Sequence, residues 1–327
     1  MNTSLSSHKV CLAPMLDYTD RHFRYLLRLI TKKTFLYSEM VTTGAILHGQ
    51  HQQRYLQFSE AEHPVALQLG GSNPVDLTKS CQIAAEHGYD EFNLNVGCPS
   101  PRVKSGAFGA VLMEQPDLVA NCLHAMKQAS DIPATIKTRI GIDHNDDYQQ
   151  LLALVEAIVK VGIDTIIVHA RKAWLDGLSP KDNREIPPLR YDYVYQLKKD
   201  FPELTIIING GIKTYDEIDE HIKHVDGVMI GREAYHNCFY FHQVDHRYYQ
   251  QNQDNITRKS VLKHYFEYIE KHLIDGVPFS HMAKHTLGLF HACRGSRLYR
   301  RELSENIHKK GKGIEVLEHA MAMVNCD

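Results

Sequence analysis

Residues 134–170 read ATIKTRIGIDHNDDYQQLLALVEAIVKVGIDTIIVHA, with two short apolar runs at the ends and a longer segment between them. The runs Ala134–Arg139 and Thr165–Ala170 are rich in β-branched residues, which favours buried strands. Between them Leu151, Val155 and Ile158 recur at the spacing of one helical face. The stretch therefore predicts two parallel strands joined by a helix.

The same rhythm extends in both directions over the first two-thirds of the chain. Eight apolar runs alternate with amphipathic stretches: Lys9–Pro14, Phe35–Ser38, Val65–Gly70, Glu91–Val96, Ala134–Arg139, Thr165–Ala170, Thr205–Gly210 and Gly227–Gly231. Eight strand–helix repeats within about 240 residues close a barrel more naturally than an open sheet. We therefore predict an α/β fold, a (β/α)8 TIM barrel.

The alternation stops after Gly231, and a polar break follows at Gln250–Asn255. Beyond the break the apolar residues fall at helical spacing, with further helical segments near Phe279–Phe290, Ser296–His308 and Ile314–Val324. The sequence thus predicts a catalytic barrel domain over residues 1–245 and a small all-helical domain over residues 246–327.

Composition and cysteine usage limit the possible class of protein. Lys and Arg (37) nearly balance Asp and Glu (39), so net charge identifies no polyanionic partner. The seven cysteines form no CxxC pair and no zinc spacing, which argues against a disulfide framework and a metal site. Since the N-terminus shows no signal-peptide pattern and no apolar run approaches the roughly 20 residues of a membrane span, we expect a cytoplasmic protein. No obligate protein partner is indicated.

Polar residues follow the predicted strands, and the active site of a TIM barrel lies at those carboxyl ends. The candidates, in strand order, are Pro14 and Met15; Gln68; Asn95 and Cys98; Lys137 and Arg139; His169; Asn209, Gly210 and Gly211; and Gly231 and Arg232.

The last two strand ends predict a phosphate site. Gly210 and Gly211 allow the backbone to approach a ligand closely, and Arg232 can form a charge-assisted contact. In TIM barrels the loops after strands seven and eight commonly hold a phosphate. The alternative is that Asn209-Gly210-Gly211 forms only a tight turn.

Lys137 and Arg139 lie two residues apart on one strand and so share a face. Two cations at a barrel mouth need an anion, which a reduced flavin would supply. The alternative is an ion pair with a carboxylate across the barrel. His169 is a further candidate donor, although it is one of 21 histidines.

Cys98 stands apart from the other cysteines because it lies in a Gly-Cys-Pro-Ser-Pro turn, which a core cysteine would not prefer. A thiol there can act as an acid or a nucleophile. The other six are interpreted as small buried hydrophobic residues. No histidine lies at a spacing that suggests a Cys–His protease.

Four motifs together resemble the tRNA-dihydrouridine synthases: Asn93–Pro99 (NLNVGCP), Lys137–Arg139 (KTR), Asn209–Ile212 (NGGI) and Ile230–Arg232 (IGR). Their order and their positions at strand ends match as well. The stretch Arg171–Pro188, RKAWLDGLSPKDNREIPP, resembles the A subfamily in particular, and the likeness runs from about Val10 to Glu305.

The resemblance implies an FMN-binding barrel, a helical tRNA-binding domain and NADPH as reductant. It implies reduction of the uridine C5–C6 bond at positions 20 and 20a of tRNA, with Cys98 as the proton donor and Asn95 against the base. The residues that the resemblance implies to bind FMN are Met15, Gln68, Lys137, His169, Asn209, Gly211, Gly231 and Arg232. Pro14 and Gly210 are added as cofactor-binding residues because of their positions at strand ends.

A basic segment near the C-terminus indicates an RNA contact. Residues 284–312 hold eight Lys or Arg against Glu302 and Glu305, and Arg294, Arg297, Arg300 and Arg301 recur at helical spacing. We expect Arg297 and Arg300 to contact tRNA, together with Arg139, Lys181 and Arg184 in the barrel domain. The alternative is an ordinary solvated helix face.

Two other functions remain open from the sequence. One is a barrel flavoprotein that acts on a free pyrimidine, and the other is a non-catalytic tRNA-binding protein. Because no strand is followed by GxGxxG, no separate dinucleotide-binding fold is present for NADPH. We therefore predict that NADPH and uridine use the same flavin face in turn, with ping-pong kinetics.

Overall fold

The fold is taken from a computed structural model, which describes residues 7–145, 147–252 and 255–326, without the side chain of Arg102. Residues 253 and 254 of the predicted polar break, and residues 1–6 of the N-terminus considered for a signal peptide, lie outside the described residues.

Eight parallel strands form the predicted barrel. They are β1 Val10–Leu12, β2 Leu36–Thr42, β3 Val65–Gly70, β4 Glu91–Val96, β5 Ala134–Arg139, β6 Thr165–His169, β7 Thr205–Asn209 and β8 Gly227–Ile230. Each pairs with its sequence neighbour from β2 to β8, and β8 pairs with β1. Backbone hydrogen bonds from Leu12 N to Phe35 O and from Phe35 N to Val10 O bring β1 beside the start of β2. The (β/α)8 prediction is confirmed.

The predicted strand bounds agree best with the structure where the apolar run ends abruptly. β3, β4 and β5 have the predicted bounds, whereas β2 runs to Thr42, four residues beyond its predicted end at Ser38. Its pairing with β3 shifts between Tyr37 and Met40, so the polar residues there sit at an irregularity in the strand. A polar interruption of the apolar pattern therefore hid the second half of the strand.

Helices follow most strands. They are α1 Arg21–Arg28, α2 Thr43–His48, α3 Gln52–Leu56, α4 Pro74–Ala85, α5 Pro101–Ser105, α6 Pro116–Ala129, α7 Tyr148–Lys160, α8 Tyr191–Asp200, α9 Tyr215–Ile222, α10 Arg232–His236, α11 Val244–Tyr249, α12 Arg258–Ile274, α13 Phe279–Ala283, α14 Ser296–Asn306 and α15 Ile314–Ala322. Local signals set several starts: Asn73 caps α4 just before Pro74, and Asp147 caps α7. The predicted C-terminal helices are confirmed.

Apolar side chains from several strands fill one layer of the barrel interior. They are Cys11, Ala13, Phe35, Tyr37, Ala66, Ile167, Ile207 and Met229, and the partly buried Met15 packs against them. Such a layer closes the barrel as a packed core rather than a pore. The C-terminal strand ends are therefore the part of the barrel left for a site.

The chain divides into two compact units. The first comprises residues 1–16, 35–58 and 63–231, and the second comprises residues 17–34, 59–62 and 232–327. The second unit thus begins before the boundary predicted at residue 245 and also takes in two N-terminal segments. The assignment of residues 246–327 to tRNA binding stays a prediction.

The second unit has its own core and its own buried charges. Tyr265, Tyr299 and Leu303 are fully buried in it. The Nε of Arg24 on α1 donates to Glu62 Oε2 at 2.7 Å, and both side chains are almost completely buried. A buried ion pair of this kind is costly to break from one side, so α1 and the short 59–62 segment are firmly joined.

The prediction for two cysteines is wrong. Cys293 and Cys326 are only partly buried and form a disulfide with a Cα–Cα distance of 5.5 Å. The pair lies in the second unit, where the backbone N–H of Asn325 also donates to Arg294 O at 3.0 Å. A separation of 33 residues along the chain gave no sign that the two thiols meet.

Among the described residues, no helix is long and apolar enough to cross a membrane. Over the same part of the chain, no group of three or more His, Cys, Asp or Glu side chains is arranged to hold a metal ion.

Candidate active site

Strand register brings the predicted residues of the barrel unit to one end. Asn95 on β4 pairs with Lys137 on β5, Arg139 on β5 pairs with His169 on β6, and His169 pairs with Asn209 on β7. Residues in register on neighbouring parallel strands lie side by side. Four consecutive strands therefore contribute adjacent polar side chains.

The turn that carries Cys98 is held by Asn95. Asn95 Oδ1 accepts from the backbone N–H groups of Gly97 at 3.2 Å and Cys98 at 3.0 Å. The Cys98 thiol is partly exposed, 3.6 Å from Ser100 Oγ, while the four other free cysteines are buried. Cys98 is thus the free thiol that a ligand at the strand ends can reach.

Lys137 lies beside the end of β7. Its Nζ donates to Asn209 Oδ1 at 3.1 Å, and Asn209 Nδ2 donates to Met229 O at 2.7 Å. Burial and the neighbouring charge of Arg139 lower the pKa of Lys137 to about 7. An anion placed next to this ammonium group would raise its pKa again.

Several cationic side chains lie near His169. Burial, followed by repulsion from Arg139, Lys137, Arg171 and Arg184, lowers the pKa of His169 well below its ordinary range. His169 is therefore neutral at pH 7. Within the described part of the chain, neither Lys137 nor Arg139 forms an ion pair with a carboxylate, so the alternative of an ion pair across the barrel finds no support there.

The Gly210-Gly211 backbone forms a close cradle after β7. The two residues have backbone φ values of +122° and +76°, which residues other than glycine rarely adopt. A Cβ on Gly210 would lie 2.8 Å from His169 Cδ2, and one on Gly211 would lie 2.7 Å from Leu189 Cδ1. Tyr191 Oη donates to Gly210 O at 2.7 Å and fixes the turn. The side chains of His169 and Leu189 therefore pack closely against this turn, which only residues without a Cβ allow.

The remaining predicted cofactor residues differ in setting. Pro14 and Met15 follow β1 and are half-buried, and a Cβ on Gly231 would lie 3.7 Å from Met15 Sδ. Gln68 is 1% exposed, and both ends of its amide bond to β4 side chains. Arg232 is the first residue of α10 and belongs to the second unit. Their contacts with FMN stay predictions.

Arg139 is buried, and its guanidinium group binds backbone carbonyl oxygens in two loops. Its Nε donates to Gly97 O at 2.8 Å, and one terminal nitrogen donates to Lys172 O at 2.9 Å and Asn183 O at 3.1 Å. These bonds tie the Cys98 turn to the loop after β6. The contact with tRNA predicted for Arg139 stays a prediction, and with 4% exposure the side chain offers little surface for it.

The loop after β6 presents Lys181 and Arg184 to solvent around a buried asparagine. Asn183 Oδ1 accepts from Trp174 N at 2.7 Å, and Asn183 Nδ2 donates to Trp174 O at 2.9 Å. Lys181 and Arg184 flank this residue at a short 3₁₀ turn, and both are exposed. Their exposure agrees with a contact to a large ligand.

In the second unit, α14 carries Arg297, Arg300 and Arg301, all exposed. Arg294, predicted on the same helical face, instead precedes the helix, because the helix begins at Ser296. Lys284, the first cation of the basic segment, has polar neighbours in the same unit: its Nζ donates to Asp17 O at 3.3 Å and lies 3.7 Å from Asp20 Oδ2.

Sequence reasoning missed several residues that shape the site, namely Glu91, Asn93, Thr135, Arg171, Asn183 and Tyr191. The alternation of Glu91, Asn93 and Asn95 on a strand buried throughout was a usable signal, because such strands are normally apolar. For Asn183 and Tyr191 no local pattern gave a sign, since their partners lie in other loops.

The comparison with protein families settles the class of this chain. The model of the family described as "Dihydrouridine synthase (Dus)" matches residues 11–325. The chain belongs to the dihydrouridine synthase family, and it is therefore an enzyme of that class. The resemblance carried by the four strand-end motifs is confirmed.

Curated relatives match over nearly the whole chain and share one name, "tRNA-dihydrouridine(20/20a) synthase". The protein from Shewanella oneidensis is 54% identical over 316 residues, covering 97% of this chain and 94% of its own. The protein from Vibrio vulnificus is 54% identical over 319 residues, with 97% of each chain covered. The protein from Escherichia coli K12 is 53% identical over 319 residues, with 97% and 92% covered.

Proposed function

We propose that this protein reduces uridine to 5,6-dihydrouridine at positions 20 and 20a in the D-loop of tRNA, with FMN as cofactor and NADPH as reductant. The observation that carries the proposal is a partly exposed cysteine, Cys98, held on a fixed turn close to the cations Lys137 and Arg139. The names of the curated relatives supply the substrate.

The residues at the strand ends fit an anionic cofactor. Lys137, Arg139, Arg171 and Arg184 bring positive charge together around a neutral His169. Gly210 and Gly211 directly follow β7, where TIM barrels commonly bind a phosphate, and their backbone N–H groups would donate to that group. Lys137, Asn209, Gly210, Gly211 and Gly231 would hold FMN, with Met15 and His169 beside it.

The protein's own groups divide the work of the reaction. FMN, when bound and reduced by NADPH, would supply the hydride that goes to C6 of the uracil ring. Cys98 then donates its proton to C5, because it is the partly exposed free thiol at the strand ends. The ammonium group of Lys137 stabilises negative charge that develops nearby, and the low dielectric of a buried site strengthens that effect.

Exposed cationic side chains would bind the tRNA. In the helical unit Arg297 and Arg300 would contact phosphates, and in the barrel unit Lys181 and Arg184 would do so. This binding energy offsets the few kcal/mol needed to take a stacked uridine out of the tRNA fold.

The test compares the wild-type enzyme with Cys98→Ala on unmodified tRNA transcripts and NADPH, with nucleotide-resolved mapping of dihydrouridine. Cys81→Ala is the matched control, because Cys81 is a buried free thiol in α4. We expect product at D-loop uridines with the wild type and the control, and a large loss with Cys98→Ala.

Two results would contradict the proposal. A flavin-loaded wild-type protein that modifies neither transcripts nor tRNA isolated from cells would favour a free pyrimidine as substrate. A protein purified without flavin, and unable to bind FMN, would favour the non-catalytic tRNA-binding alternative.

A further inference from the structure

A chain of hydrogen bonds between side chains of β3, β4 and β5 runs along β4 toward the Cys98 turn. Thr135 Oγ1 donates to Glu91 Oε1 at 2.6 Å, and Asn93 Nδ2 donates to Thr135 Oγ1 at 2.8 Å. Gln68 Nε2 donates to Asn93 Oδ1 at 2.8 Å, and Asn95 Nδ2 donates to Gln68 Oε1 at 2.8 Å. Asn95 Oδ1 then accepts from the Cys98 N–H. The chain therefore connects a buried carboxyl group to the turn of the reactive thiol.

The groups at the two ends of this hydrogen-bond series determine which atom donates and which accepts at each link. The backbone N–H groups of Gly97 and Cys98 can only donate, so the amide oxygen of Asn95 must face them. Its amide nitrogen then faces Gln68, and the same logic sets each following side chain up to Glu91. A carboxylate accepts at that end, so every link is satisfied with one orientation of each amide. Reversing one amide would leave two donors or two acceptors facing each other.

The side chains of this hydrogen-bond series are buried, so water cannot easily replace a lost partner. Gln68, Glu91, Asn93 and Thr135 are each at most 2% exposed. Register explains how they meet, because Gln68 on β3 and Thr135 on β5 lie opposite Asn93 on either side of β4. A buried polar group without a partner is costly, so breaking one link forces its neighbours to rearrange.

Glu91 is itself anchored by groups outside the chain. Its Oε1 also accepts from Tyr37 Oη at 2.7 Å, and its Oε2 lies 2.8 Å from His8 Nε2. The carboxyl group thus stays fixed if one partner is lost. Tyr37 serves as a control for Thr135. Both hydroxyl groups donate to the same Glu91 oxygen, but only the Thr135 hydroxyl also accepts a hydrogen bond from Asn93 and so links Glu91 to the Cys98 turn.

From this arrangement we infer that Glu91, Thr135 and Asn93 are positioning residues that hold the Asn95 amide, and through it the Cys98 turn, in the geometry needed for proton donation. The inference rests on the proposed role of Cys98. It adds three residues that touch neither the thiol nor a ligand at the strand ends.

Thr135→Val tests the inference, because it keeps the shape of the side chain and removes the hydroxyl link. Stopped-flow measurements separate reduction of the flavin by NADPH from its reoxidation by tRNA. We expect reduction at the wild-type rate and reoxidation slowed by about tenfold to a hundredfold, as expected for a displaced reactive group. The KM for tRNA should stay unchanged. The rate at which iodoacetamide alkylates Cys98 should differ from the wild-type rate, and peptide mass spectrometry measures that rate.

Two further variants complete the design. Thr135→Ser keeps the hydroxyl and should restore both the reoxidation and the alkylation rates. Tyr37→Phe removes an equally buried hydroxyl bond to Glu91 and should leave both rates near the wild-type values. If Thr135→Val does not fold, Thr135→Ala deletes the hydroxyl without adding a methyl group.

The inference is overturned if Thr135→Val and Tyr37→Phe behave alike, or if Thr135→Val alkylates and reoxidises as the wild type does. Failure of the proposed function gives a different pattern, because Cys98→Ala would then reoxidise at the wild-type rate. In that case the alkylation rate of Cys98 in Thr135→Val still decides whether the chain positions the turn.

Discussion

Raising the pH should release FMN from this protein, because Lys137 must be charged to hold an anion. Burial and the nearby Arg139 lower the pKa of Lys137 to about 7 in the absence of a ligand. An anionic cofactor beside Nζ stabilises the ammonium form and returns the pKa toward its ordinary value of about 10.4. Above pH 7 the protein must therefore take up a proton when FMN binds.

The magnitude follows from the fraction of Lys137 that is already charged. About half is charged at pH 7 and about one hundredth at pH 9, so the Kd for FMN should rise about 50-fold, or about 2.3 kcal/mol, over this interval. His169 does not add to the effect, since its pKa lies well below 7 and it stays neutral throughout. The second phosphate ionisation, near pH 6, is also nearly complete.

The assay is an anaerobic titration of reduced FMN with apoprotein at pH 7, 8 and 9, followed by the change in flavin absorbance. Lys137→Met is the control, because it has similar bulk and no titrating group. Its Kd should vary little over the same range and should approach the wild-type value at the highest pH.

A wild-type Kd that stays constant from pH 7 to pH 9 would show that FMN binding does not shift the pKa of Lys137, because such a shift requires the Kd to change with pH. A Lys137→Met variant with the same pH dependence as the wild type would refute it as well. The titrating group would then be another residue.

Three further predictions concern other parts of the molecule. Arg139→Lys keeps the charge but cannot reach all of the backbone oxygens of Gly97, Lys172 and Asn183, so chemical denaturation should show a loss of about 2–3 kcal/mol of stability; an unchanged midpoint would contradict this. Replacing Arg297 and Arg300 with alanine should weaken tRNA binding and make the slope of log Kd against log salt shallower by roughly 1.5–2, whereas equal slopes would exclude both residues from the interface. Cys326→Ser should lower stability by about 3–4 kcal/mol under oxidising conditions, and dithiothreitol should erase the difference from wild type; equal stability of the two oxidised proteins would contradict the pairing with Cys293.

The barrel could be predicted because its strands are short apolar runs with sharp ends. β3, β4 and β5 begin and end where the runs do, whereas Ser38 and Glu39 interrupt the pattern in β2 and hid its continuation to Thr42. The inclusion of residues 17–34 in the second unit could not be predicted, because α1 has the pattern of any amphipathic helix.

The proximity of the candidate residues to one another was predictable, whereas their hydrogen-bond partners were less so. Strand ends and the two-residue period identified Lys137, Arg139, His169 and Asn209 as neighbours, and the register agrees. The partners of Arg139 lie in loops after two other strands, and loop conformation at such distances is not encoded in any local pattern. The buried polar residues of β4 were visible in the sequence, but a period of two does not say which face of a strand points into a barrel.

The division of the chain into interleaved units limits how this protein can be taken apart. The chain passes between the two units at five points, and the second unit depends on α1 and residues 59–62 as well as on its C-terminal helices. A fragment that ends at Gly231 would keep Arg24 and Glu62 without the helices around which they are buried. The C-terminal helices are therefore not a complete folding unit, and truncations or gene fusions that separate them from residues 17–34 and 59–62 should yield insoluble fragments.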